Sequence, residues 1–177
     1  MKGIDVLQAV KSLRAMTARP ALGPAAAALV KQRILPSSWY PMEPFREVLG
    51  ALHRVRFGGT DESALEMGRD GARTTLSGQQ AAYVSHGEPK RTLQAFERIW
   101  RSHYDFGRVE TAQTDEEARV LLHGYPDVPR WHGLIIIGWL MGALEMSGAR
   151  HSRHQLESAP WTDAEAPLTA VLTWSGV

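Results

Sequence analysis

The sequence predicts an α+β fold: N-terminal helices followed by a ββαββ unit, in which a mainly antiparallel four-stranded sheet packs on a buried helix. Three observations lead there. Apolar residues recur at helical spacing through the first half of the chain. After Gly107 the period changes to the alternation of strands. Between two such strand pairs lies an uninterrupted apolar run, residues 133–144. A run of that length is too short for a bilayer, which needs about 20 apolar residues. A helix apolar on every face is instead one covered by its own domain.

The elements follow in order. Ile4, Val6, Leu7, Val10, Leu13 and Met16 give a first helix over residues 4–16. Pro20, Gly23 and Pro24 break it, and a second helix spans residues 25–34. The connector "LPSSWYPMEP" is irregular because Pro36, Pro41 and Pro44 forbid regular pairing, and Trp39 and Tyr40 are expected to anchor it against the core. A third helix covers residues 43–53, with Pro44 tolerated in its first turn. Thr60 and Asp61 can cap a fourth over residues 62–77. A fifth, residues 88–103, carries Leu93, Phe96, Ile99 and Trp100 on one stripe. "RVETAQT" and "ARVLLHGY" are the first two strands, with a charged hairpin turn between them. Pro126 and Pro129 break the chain before a helix over residues 131–147, which Gly148 should cap. "RHSRHQLES" and "LTAVLTW" supply the last two strands.

The bulk composition excludes several classes. The chain has 177 residues, 44% of them hydrophobic and 22% charged, which suits a globular fold. The net charge of +1 and the scattered basic residues make no case for nucleic acid. No membrane partner is indicated either. With no cysteine there are no disulfides, no thiolate metal sites and no cysteine nucleophile. The N-terminus has no continuous apolar core, so a cytoplasmic location is the simplest expectation.

The strings "ILPSSWYPMEPFREVLGAL", "LEMGRDGARTTL", "AFERIWRSHYDFGRVE" and "GYPDVPRWHGLIIIGWLMGALEMSGAR" resemble a myxobacterial paralogue family of unknown function. That family is similar to the vinyl-reductase-type small-molecule-binding domain and, more remotely, to the haem nitric-oxide-sensor fold. The resemblance covers roughly residues 34–174. It implies a compact α+β domain, often dimeric, with a cavity between helices and sheet for a small apolar or amphipathic molecule, used as an input module in signalling. The chain departs from the wider family in its last hairpin, where Ser158, Ala164 and Ala166 stand about where thiols are expected. The Tyr-x-Ser-x-Arg signature of the haem sensors is also missing, so no cofactor is expected. On this reading residues 1–35 form a helical extension and residues 36–177 the ligand-binding domain.

Motifs for chemistry are weak. His151 and His154 would share a helix face, as zinc requires, but point to opposite faces of a strand. His103, His123 and His132 fall near element ends, where capping or interface roles compete with general-base chemistry. No serine sits in a G-x-S-x-G elbow, and no glycine-rich loop has phosphate-loop spacing. The aromatic set Trp39, Tyr40, Tyr83, Trp100, Tyr104, Trp131 and Trp139 could face one interior, as a filled core or as a pocket wall. Tyr83, Trp100, Tyr104, Trp131 and Trp139 are the candidate ligand-binding residues, whose buried N–H and O–H groups a ligand could satisfy. Gly138 and Gly142 form one G-x-x-x-G, expected to meet the sheet, then a second chain's helix, then a ligand.

The function these readings imply is non-enzymatic: a small-molecule-binding or sensory domain acting through a homodimer or a regulatory protein partner. The alternative is an interaction module with a filled core and no ligand.

Overall fold

The computed structural model describes residues 1–78, 80–125 and 127–176. Pro126, expected to break the chain before the apolar helix, lies outside them. Among the described residues six helices and four strands run α1 (Gly3–Arg14), α2 (Pro24–Lys31), α3 (Met42–Arg56), α4 (Asp61–Leu76), α5 (Pro89–His103), β1 (Arg108–Gln113), β2 (Glu117–His123), α6 (Arg130–Met146), β3 (Arg150–Ser158) and β4 (Leu168–Ser175). A short 3₁₀ turn, Ala81–Tyr83, precedes α5. This is the α+β arrangement expected, helices first and a ββαββ unit after them.

The sheet is antiparallel throughout, in the order β1-β2-β4-β3. Val120 opposite Ala170 and Leu122 opposite Leu168 set its inner face. The polar strand β3 is an edge, as its composition suggested. His151 has a left-handed φ of 50° at a register shift and is exposed, whereas His154 is half-buried. Burial, and then the Arg69 guanidinium, lowers the His154 pKa. Among the described residues no three His, Cys, Asp or Glu side chains converge to hold a metal.

Local chemistry explains the helix ends. Thr60 Oγ1 accepts from the Ser63 N–H at 3.2 Å, and Ser63 Oγ accepts from the Thr60 N–H at 2.9 Å. This reciprocal box satisfies two N–H groups at the start of α4. Thr60→Ala is expected to cost about 1 kcal/mol, read as a shifted urea midpoint with an unchanged slope. At the other end of the fold, Gly148 takes φ 105° after α6. The Ala149 N–H reaches the Leu144 carbonyl and the Gly148 N–H the Glu145 carbonyl, both at 3.1 Å.

The apolar run is buried, but its closest companion differs from the expectation. α6 packs against α4 rather than placing its glycines on the sheet. A Cβ built on Gly138 would strike the Leu65 carbonyl oxygen, and one on Gly68 would strike that of Ile135. Farther along, a Cβ on Gly142 would lie 2.8 Å from Ala72 Cβ. Glycines on both helices thus let two backbones touch. Gly133 makes a different contact, seating the ring of Trp161. Among the described residues no helix is long and apolar enough to cross a membrane.

Two large apolar clusters result. One gathers Val6 and Val10 of α1, Leu29 of α2, and Phe45 and Val48 of α3. The other joins Leu93 and Trp100 of α5, Leu140 and Leu144 of α6, and the inner face of the sheet. Of the two aromatic residues expected to anchor the connector between α2 and α3, Tyr40 does so through its side chain. Its hydroxyl accepts from the Leu35 N–H at 2.8 Å, and its N–H donates to the Met1 carbonyl at 2.9 Å. Trp39, expected in the core, is 47% exposed and stacks under the Lys2 ammonium at 4.3 Å.

Candidate ligand cavity

On the seam between the two clusters lies a cavity of about 220 Å³. Its walls come from α1 and α3 on one side and from α4, α5 and α6 on the other, with Gln80 closing the end before α5. Leu49, Leu52, Met67, Phe96, Ile99 and Ile135 make most of it apolar. The interior is therefore not packed solid here, in contrast to the filled-core alternative.

Three of the five candidate aromatic residues reach the cavity. Trp100 and Tyr104 line it as a stacked pair with ring centroids 4.0 Å apart, and Trp139 joins them from α6. The indole N–H groups do not wait for a ligand. Trp100 Nε1–H donates to the Phe106 carbonyl at 2.9 Å, and Trp139 Nε1–H donates to Thr75 Oγ1 at 3.2 Å. Burial, and next the Asp5 carboxylate, raise the Tyr104 pKa well above the usual phenol value, so this side chain stays neutral.

Tyr83 and Trp131 lie elsewhere. Tyr83 packs on the small cluster of Ala72, Leu76, Ile99 and Ala143, with Arg98 near its ring. Trp131, on the first turn of α6, stacks on His53 at 5.8 Å and rests against Gly50. The helical pattern places an aromatic near an interior but cannot say which of two interiors it faces.

The polar end of the cavity escaped sequence reasoning. Asp5 of α1 and His103 of α5, 98 positions apart, meet through Asp5 Oδ2 and His103 Nδ1 at 2.7 Å. His103 Nε2 meets Gln80 Nε2 at 2.6 Å. The Nδ1–H donates to the carboxylate, and the Gln80 amide holds the other ring nitrogen. The Lys2 N–H also donates to the His103 carbonyl at 2.7 Å, which fixes the end of α5 against the start of α1. Gln80 Oε1 is buried without a partner. The only sequence trace of this cluster is a histidine at a helix end.

A second histidine borders the cavity. His132 is fully enclosed, and its Nδ1 lies 3.0 Å from the Tyr125 hydroxyl. Burial first, and then the Arg46 charge, lower its pKa to about 3. It is a neutral hydrogen-bonding ring at physiological pH.

No family model matches the chain, and no curated protein matches it. Solved structures do. A crystal structure of an oxygen-binding H-NOX domain related to soluble guanylate cyclases superposes with TM-score 0.71 at 12% identity, over 99% of this chain and 96% of that one. A T. tengcongensis H-NOX point mutant gives 0.70 at 13% identity, over 99% and 98%. An Fe(II) unliganded H-NOX mutant from K. algicida gives 0.66 at 10% identity, over 99% and 97%. The fold is that of the H-NOX domains.

One H-NOX neighbour of this chain was studied for its haem distortion. The residues of this chain do not fit haem. The cavity, at about 220 Å³, falls below even the roughly 300–1,000 Å³ of drug-sized pockets. His103, which lines it, has both ring nitrogens engaged, by Asp5 and by Gln80. His132 turns its Nδ1 to Tyr125. The charged residues lining the cavity are Asp5, Asp70 and Arg56, and Arg56 faces Asp70 at 4.0 Å. Two haem propionates would therefore enter a lining with more acid than base.

Proposed function

We propose that this chain is a non-enzymatic sensory domain whose signal molecule occupies the cavity between α1 and α3 and the α4–α6 layer. The observation that carries this reading is the cavity's position. It lies between two apolar clusters rather than inside either. A molecule touching both sides favours one relative packing over its competitors, and that population shift is the output. A homodimer or a regulatory protein partner in the cytoplasm reads the shift. The histidine that could act as a base, His103, has its Nε2 held by Gln80, so turnover forms no part of the reading.

The likeness to vinyl-reductase-type binding domains belongs to the same proposal, with a small apolar or amphipathic ligand in place of haem. So does the division into residues 1–35 and 36–177. Under it the extension is a working wall, since it brings Asp5, Gln8, Ala9 and Ser12 to the cavity.

Native mass spectrometry of gently purified protein is expected to show a small adduct that denaturation releases. Adding the extracted molecule back should raise the melting temperature. A clean mass, with a melting temperature indifferent to small apolar compounds, would favour the interaction module.

A further inference from the structure

Resting on the sensory reading above, we propose that the cavity selects small apolar molecules bearing a protonated amine and refuses carboxylates, haem included.

The polar end is rich in acceptors. Asp5 accepts one hydrogen bond through Oδ2 from His103, and a carboxylate has capacity for several more. The Asp5–His103–Gln80 chain terminates on Gln80 Oε1, which has no partner and belongs to a side chain about nine-tenths buried.

Charge points the same way. The cavity lining holds two acidic residues and one basic one, and the basic one, Arg56, faces Asp70. The Met1 ammonium feels both Asp105 and Asp5. It is bonded to the Tyr40 carbonyl at 2.9 Å and shared with Asp105 at 3.7 Å. Two carboxylates thus face one ammonium, and a ligand cation completes the balance. An anion would meet Asp5 beside apolar walls, where like charges repel more than in water.

Size limits the apolar part. An engineered cavity of about 150 Å³ in another protein stays dry and takes benzene. At about 220 Å³ the space here suits one aromatic ring with a short arm. The stacked face of Trp100 and Tyr104 supplies a wall for it.

The test uses the full chain at neutral pH and three probes of similar shape: 2-phenylethylamine, 2-phenylethanol and 3-phenylpropionate, titrated calorimetrically. The amine is expected to bind at least about tenfold more tightly than the carboxylate, with the alcohol between them. Asp5→Asn, checked for an unchanged circular dichroism spectrum, should bring amine and carboxylate within about threefold of each other. Haemin should give no saturable Soret change. If Asp5→Asn does not fold, the probe ranking on the unaltered chain decides alone. A carboxylate as tight as the amine, or stoichiometric haemin, overturns the selectivity and leaves the sensory reading intact. So does silence from all three probes where native mass spectrometry shows an adduct. Silence together with a clean mass overturns both.

Discussion

Gly68→Ala is expected to destabilise the protein by about 2 kcal/mol, while Gly71→Ala, one turn on in the same helix, is expected to leave it unchanged or slightly more stable. Both glycines lie inside α4, so both gain the same helix propensity from alanine, about 0.8–1 kcal/mol. What differs is the space. The new methyl at position 68 meets the Ile135 carbonyl oxygen and the Gly138–Trp139 backbone of α6. Backbone cannot rotate away as a side chain can, so α4 and α6 must separate. Overpacking costs about 1–3 kcal/mol and occasionally more; a clash with three backbone atoms belongs at the top of that range, and after the propensity gain of about 1 kcal/mol the net loss is near 2. At position 71 the nearest atom is Trp139 Cδ1 at 3.6 Å, an ordinary contact. Thermal melts of the two variants provide the check. For a chain of this size about 2 kcal/mol corresponds to a fall of roughly 4–8 °C. Equal melting temperatures would mean that the two helices are not in backbone contact.

That contact also marks where sequence reasoning stops. The period of the helices, the switch after Gly107 and the turn residues were all readable, because each is a local property of a few neighbouring side chains. Gly138 and Gly142 advertised a close approach. The identity of the approaching backbone depended on Gly68, about seventy positions earlier, which carries no local signal of its own. A glycine within a helical pattern looks alike whether it faces water, like an incidental residue, or another backbone. Trp39 and Tyr40 show the same limit at shorter range. Adjacent residues on an irregular connector point different ways: the Tyr40 hydroxyl accepts from the Leu35 N–H, while Trp39 lies exposed under Lys2.

The cavity follows the same logic. Trp100 stood on the buried stripe of an amphipathic helix and was legible as interior. Asp5, one polar residue among the apolar positions of the first helix, carries no such local signal. Its role appears when the start of α1 is fastened to the end of α5 by the Lys2 N–H and the His103 carbonyl. The polar end of the site is thus a product of tertiary docking, and neither helix contains it alone. The same docking explains why this lining does not fit haem. The histidine beside the cavity is present, but it is hydrogen-bonded into a carboxylate–imidazole–amide chain that ends on an acceptor.

His132 gives the second large effect, one of pH. Its pKa is about 3 in the folded chain and about 6.5 when unfolded. Below about pH 6.5 the unfolded chain therefore takes up a proton that the folded chain refuses, and stability falls as pH falls. The loss runs at about 1.4 kcal/mol per pH unit once the unfolded imidazole is charged, reaching roughly 2–3 kcal/mol by about pH 4.5. It levels off only near the folded pKa. His154, lowered by burial and Arg69, contributes with the same sign over the upper part of that window. The double variant His132→Leu with Tyr125→Phe removes both ends of the 3.0 Å bond; because the Tyr125 hydroxyl also meets Arg46, the slope of stability with pH, not its absolute value, reads the His132 share. Urea denaturation of both proteins at a series of pH values should show the unaltered chain losing stability between about pH 6.5 and 4.5 and the double variant losing much less. Parallel curves would mean that the His132 ring is charged and hydrated in the folded protein, and that the seam beneath Tyr125 is open to water.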